Sequence, residues 1–153
     1  FRGRCQLFAS DSISIKRNCR FEYPSCLGVV RFAKTKIPSQ AKISLGEKST
    51  FNGIMFSYEK EPGALKPLIS IGKSDTVRGQ IYSQSTLELA DNVTIQGSVS
   101  TLNFLYRSAF TLYQNYLINV RSDSKSLTPY YLTSPVLPAP SPNKKILQWL
   151  EGN

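Results

Sequence analysis

Along residues 69–99, ISIGKSDTVRGQIYSQSTLELADNVTIQGSV, apolar and polar residues alternate in short runs, and the runs come twice. Ile69, Ile71, Val77 and Ile81 mark the first pass. A two-residue period of this kind belongs to a strand with one buried face. The runs are short and rich in β-branched residues, and glycine or asparagine-type turns separate them, so strands are predicted almost throughout.

The runs also keep phase. Ile71 and Leu89, Val77 and Ile95, Gly79 and Gly97, and Ile81 and Val99 each lie 18 residues apart. Twenty-six residues earlier, Leu45, Phe51, Gly53 and Met55 hold the same places, the extra residues falling in the loop-like stretch 58–65. Thirty residues further back come Ile13, Ile15, Phe21 and Tyr23, with the insertion around residues 31–40. Forward by 18, a decayed copy runs through Leu105, Tyr113, Asn115 and Leu117. Asn115 stands where the others have glycine, as suits a position with positive φ.

An 18-residue unit cannot bury its apolar side alone, whereas stacked copies can. The expected fold is therefore all-β, a single-stranded parallel β-helix of about five 18-residue coils with loop insertions. The spacing leaves the hand open, because the apolar positions also fit the six-residue period of a left-handed β-helix. An antiparallel sandwich is the plainer reading, but it leaves the recurring glycines unexplained. Ile15, Leu45, Ile71 and Leu89, with Phe51, Val77 and Ile95, are the expected core ladder, each contributing roughly 1.5–3 kcal/mol when fully buried. Gly53, Gly79, Gly97 and Asn115 are the expected turns. Arg17, Glu47, Lys73 and Asp91 would form a charge column of alternating sign, worth ~0.2–1 kcal/mol per pair.

The repeat stops near residue 122, giving a β domain over 1–122. A proline-rich extended segment, 123–142, follows, and then a short helix over 143–153 whose apolar face is Ile146, Trp149 and Leu150. Folding back to cover the open edge of the last coil is its expected role; docking to a partner is the alternative. The chain begins at Phe1 rather than Met, which leads us to expect a larger protein whose preceding portion carries a membrane anchor or signal.

Charge adds one candidate surface. Residues 1–48 hold ten basic and three acidic side chains, a net of +7 (10 − 3), while the remainder nets +2 (9 − 7). Lys16, Arg20, Arg31, Lys34 and Lys36 are the candidate anion-binding group, for an acidic glycan or a membrane surface. No specific nucleic-acid motif accompanies them. Against a binding role stands the ordinary one, a solvated basic face.

Candidate chemistry is sparse. The chain has no histidine, so Ser-His-Asp and Cys-His nucleophile pairs are excluded. Cys5, Cys19 and Cys26 have no C-x-x-C spacing, which argues against a metal site and for buried, inert thiols. In the repeat register no two carboxylates stack, as polysaccharide cleavage would need. No phosphate-binding glycine loop is present. A non-enzyme with no cofactor and no nucleotide is expected.

The stretch Val77-Arg78-Gly79-Gln80-Ile81-Tyr82-Ser83, followed by an alternating strand and Gly97-Ser98-Val99, resembles the repeats of bactofilins, the polymer-forming bacterial cytoskeletal proteins. The resemblance is best over 69–99 and extends weakly to 13–23, 43–56 and 105–117. It implies a right-handed parallel β-helix, no enzyme activity, and end-to-end association into a scaffold near membrane or wall. Long insertions, modest glycine content and the proline-tryptophan tail depart from that family. The overall layout also resembles envelope proteins of Bacteroidetes-type bacteria that carry an N-terminal anchor and a Lys-Lys-x-x-x-x-Trp-Leu tail. Together these imply a structural or interaction module of the bacterial cell envelope, with self-association or a protein partner; the alternative is a glycan-binding or polysaccharide-cleaving β-helix.

Overall fold

Alternating runs become strands wherever one face can be buried against a neighbour. The computed structural model describes residues 1–32, 39–61, 63–108, 110–128 and 131. In chain order these form β1 (Arg2–Gly3), β2 (Gln6–Ala9), β3 (Ser12–Ser14), β4 (Arg20–Arg31), β5 (Lys42–Leu45), β6 (Thr50–Glu59) and β7 (Leu68–Ile71). The second half continues with β8 (Thr76–Ser83), β9 (Thr86–Leu89), β10 (Val93–Ser100), β11 (Asn103–Arg107), β12 (Leu112–Gln114) and β13 (Val120–Ser122).

From β3 to β11 successive strands alternate between two sheets. One has seven strands, ordered β1-β4-β6-β8-β10-β13 with β2 also beside β4; the other has six, ordered β12-β11-β9-β7-β5-β3. Every pairing is parallel except β11 with β12, which is antiparallel. The inner faces share one core. Phe21, Phe51, Val77 and Ile95 stack along the large sheet, and Ile43, Ile69 and Leu87 along the small one, all essentially closed to solvent.

The closed β-helix expected from the sequence is therefore corrected, along with its choice of hand. The backbone bonds close two separate sheets that lie as layers over one core. The reason is visible in one 18-residue period. Residues 68–85 go into β7, β8 and the tight corners after each, which leaves nothing to build a further wall. Five even turns do not form either. The chain advances by 30, 26 and 18 residues between paired positions such as Phe21, Phe51, Val77 and Ile95. No helix occurs among the described residues. The helix expected over 143–153, with Ile146, Trp149 and Leu150, lies outside them, as does most of the proline-rich segment.

Both ends of the repeat need correction too. At the start, Phe21 pairs with Phe51, but Ser25 rather than Tyr23 then meets Gly53, because the strand bulges over Glu22–Pro24. At the finish, Phe104 rather than Leu105 pairs with Leu87, a slip of one that turns Leu105 to the opposite face. Asn115 does have positive φ, at 60°, yet it follows a hairpin strand and does not extend the glycine column. The stretch before residue 10, which lies ahead of the repeat, supplies two more edge strands, β1 and β2.

One corner repeats with unusual regularity. Asn18, Lys48, Ser74 and Asn92 all have φ near +60°, each just after a member of the Arg17, Glu47, Lys73, Asp91 column. The Asn18 amide donates to the Glu47 carbonyl, Lys48 to Lys73 and Ser74 to Asp91, at 2.9–3.0 Å. The four charged residues thus share one corner through their backbones, but no ion pair within 4 Å links them among the described residues. Asparagine accepts this conformation readily, whereas lysine and serine carry a cost of roughly 1 kcal/mol. Lys48→Asn and Ser74→Asn are expected to raise stability by about 0.5–1 kcal/mol each. Urea denaturation reads this directly, and a midpoint that falls in both variants counts against the corner.

Candidate interaction surface

The large sheet's outer face is set by the same alternation that fills its core. In Thr50-Phe51-Asn52-Gly53, Thr76-Val77-Arg78-Gly79 and Thr94-Ile95-Gln96-Gly97, the second residue points inward and is buried. The first and third therefore face out. Register makes two columns of them. One runs Arg2, Arg20, Thr50, Thr76, Thr94, Arg121 across six strands. Beside it stand Asn52, Arg78 and Gln96.

Hydrogen bonds tie the second column together. The Arg78 Nε donates to Gln96 Oε1 at 2.6 Å, and its Nη1 reaches Asn52 Oδ1 at 3.5 Å. Asn52 Nδ2 donates to the Phe21 carbonyl at 2.6 Å. Tyr131 lies on the same patch: its hydroxyl donates to Asn52 Oδ1 at 3.2 Å and its ring meets Tyr23 with centroids 4.5 Å apart. Burial raises the Tyr131 phenol above its usual range, against the pull of Arg78. Tyr131 therefore sits on the outer face at β4 and β6, well away from β13 in the strand order.

The glycine column is what places these side chains. Gly53, Gly79 and Gly97 are paired in register with φ of 147°, 132° and 141°. A Cβ on Gly79 would fall 1.9 Å from the Gly53 carbonyl oxygen, so only glycine lets the backbones come this close.

The buried polar groups belong to the frame. Asp75 is fully buried, where its two carboxylate oxygens accept the Ser49 and Gly72 amides at 2.8 Å each. Burial pushes its carboxyl up to about 7, although those amides pull the other way and Glu47 adds to the rise. The folded value thus lies above the unfolded one. Stability is fully present below about pH 4 and is lost as pH rises through about 7, with no further change from this group above that. Measured as parent minus Asp75→Asn, unfolding free energy should decline across that window. A difference that rises with pH contradicts the assignment.

The predicted anion-binding group does not assemble as expected. Lys16 and Arg20 are exposed, and Arg20 belongs to the outer column. Arg31 is buried and committed: it bonds Glu59 Oε1 at 2.7 Å, Asp11 Oδ1 at 2.8 Å, and the Ser10 and Ser39 carbonyls. It is a structural cation, with nothing left for a ligand. Lys34 and Lys36 lie outside the described residues. The thiols of Cys5, Cys19 and Cys26 are unpaired and half-buried rather than fully buried. Sequence reasoning missed Arg2, Arg78, Arg121 and the threonines. The signal was present in the threonine three places before each glycine of the column, Thr50, Thr76 and Thr94.

Among the described residues no group of three His, Cys, Asp or Glu side chains gathers to hold a metal. No helix there is long and apolar enough to cross a membrane. No protein-family model, curated protein or solved structure matches the chain.

Proposed function

We propose that this chain is a non-enzymatic structural or interaction module of a bacterial cell envelope, working through the outer face of its large sheet. The observation that carries this reading is the register-locked pair of outer columns at a fixed pitch, one of arginines and threonines across six strands and one of Asn52, Arg78 and Gln96 across three. The compartment rests on the sequence resemblance alone. Its buried acids serve the frame: Asp75 caps backbone amides and Glu59 holds Arg31. Co-sedimentation of the full chain with purified envelope material tests it. The protein is expected in the pellet, with saccharide chain length unchanged. Protein left in the supernatant, or reducing ends that accumulate in proportion to it, would overturn the reading.

A second reading, self-association, has its own observation. Twelve large apolar side chains are exposed among the described residues. Phe1, Leu7 and Phe8 flank the first edge strands, and Leu102, Phe110, Leu112, Tyr113, Tyr116 and Leu117 gather near the last ones. Apolar side chains beside open strand edges favour docking of a second copy end to end. Sedimentation velocity of the full chain should then show mass rising with concentration; a constant monomer mass rules it out.

A further inference from the structure

We infer that the column Arg20, Thr50, Thr76, Thr94, Arg121, with Arg78 beside it, is a binding track for an acidic polysaccharide lying across the strands. The inference rests on the interaction-module reading above and names its ligand class.

Charge is the first reason. Arg78 is half-buried, and its partners are the neutral amide oxygens of Gln96 and Asn52. Among the described residues the arginines in ion pairs are Arg31, Arg107, and Arg2 with Arg20, which share Glu22; Arg78 has no carboxylate within 4 Å. Partial desolvation without a counter-charge is unfavourable, and an anion supplied by a ligand relieves it. Among the described residues Arg121 likewise forms no ion pair within that distance, although the half-buried Asp123 feels its charge. Glu22 and Asp123 are acidic neighbours of the end arginines, Glu47 and Asp91 lie at the corner three residues before Thr50 and Thr94, and all four sit off the threonine column.

Pitch is the second. From Arg20 to Arg121 the column takes four strand steps of about 4.8 Å, close to 19 Å in all. That step is close to the advance of one pyranose ring along an extended chain. A hydroxyl is therefore offered to each sugar in turn, and arginines meet carboxylates or sulfates along the way. Tyr23 and Tyr131, packed against each other with ring centroids 4.5 Å apart, flank the track as an aromatic pair. The exposed apolar side chains lie mainly toward the ends of the sheets rather than along this strip, which disfavours insertion into a lipid surface. A single narrow column also lacks the breadth to follow both strands of a nucleic-acid duplex.

Isothermal titration of the full chain with polygalacturonate, dextran, a short DNA duplex and phosphatidylglycerol vesicles tests the track. Polygalacturonate should bind, more weakly as salt rises, and dextran should not. The triple variant Arg20→Gln, Arg78→Gln, Arg121→Gln should bind polygalacturonate at least tenfold more weakly with an unshifted melting temperature. As a check independent of any variant's folding, bound polygalacturonate should protect Arg78 and Arg121 of the parent chain from phenylglyoxal. Unprotected arginines, undiminished binding by the folded triple variant, or tighter binding of duplex or vesicles would overturn the inference. If the chain pellets with envelope material yet ignores polygalacturonate, the ligand assignment fails and the broader reading stands. If it does neither, both fail.

Discussion

Replacing Gly79 by alanine is expected to destabilise the protein by about 3–5 kcal/mol, enough to leave much of it unfolded at room temperature. Two costs combine. The residue sits at φ 132°, where an L side chain is strained. Its Cβ would also lie 1.9 Å from the Gly53 carbonyl oxygen, a backbone atom that cannot rotate away. Moving the strand aside breaks register with β6 on one side and β10 on the other. Gly63 is the matched control, since nothing lies within 4 Å of its added methyl, so Gly63→Ala should stay within about 0.5 kcal/mol of the parent. Urea unfolding followed by far-ultraviolet circular dichroism measures both. A Gly79→Ala cost below about 1 kcal/mol would mean that the strands do not approach as described.

The second large effect concerns the buried ion pair. Arg31 and Glu59 have side chains 8% and 2% exposed, at 2.7 Å from each other, whereas the other acid, Asp11, is 55% exposed. Glu59→Leu strands the guanidinium among buried groups with only half-solvated Asp11, the Ser39 hydroxyl and backbone carbonyls as partners. A loss of about 3–5 kcal/mol is expected, because the uncompensated charge stays buried. Arg31→Met should cost a similar amount for the converse reason. Removing both together should recover most of that loss, since a well-packed apolar pair often equals a buried ion pair. Recovery will be incomplete, because Arg31 also ties the Ser10 and Ser39 carbonyls to the end of β4. Glu59 Oε2 accepts no hydrogen bond among the described residues, which limits how favourable the native pair is. A double-mutant cycle from urea unfolding should give a coupling above about 1.5 kcal/mol; additive losses would show that the pair does not act as a unit.

Spacing made the middle of this fold legible. The steps of 26 and 18 residues identify Leu45, Ile71 and Leu89 as neighbours, and Gly53, Gly79 and Gly97 as one column, and these residues are paired in the structure. The ends were not legible, because there local chemistry breaks the period. Tyr23-Pro24 bulges the first long strand by two residues, and a hairpin turn reverses the chain after β11. Layering escaped detection for a different reason: a repeat length states how often the chain returns, not how many walls it builds on the way. The charge column shares one corner, yet among the described residues its side chains, three exposed and Asp91 half-buried, form no ion pairs with one another, as is common where water competes. Arg31 shows the reverse failure. Its sequence context is basic, but its acids come from Asp11 and Glu59, 20 and 28 residues away, and only folding brings them together. The same holds for Arg20, Arg78 and Arg121, which lie in different repeats and become one surface through register alone.

That register is the central claim, because without it the outer columns do not exist. Spin labels at Arg20 and Arg121, placed on a chain whose native cysteines are replaced by serine, measure it by pulsed electron resonance. These positions are 101 residues apart in sequence and four strand steps apart in the sheet. A narrow distribution centred near about 19 Å between backbones, widened only by the label arms, is the predicted result. A broad distribution, or a centre beyond about 30 Å, would contradict the stacked column and the surface built on it.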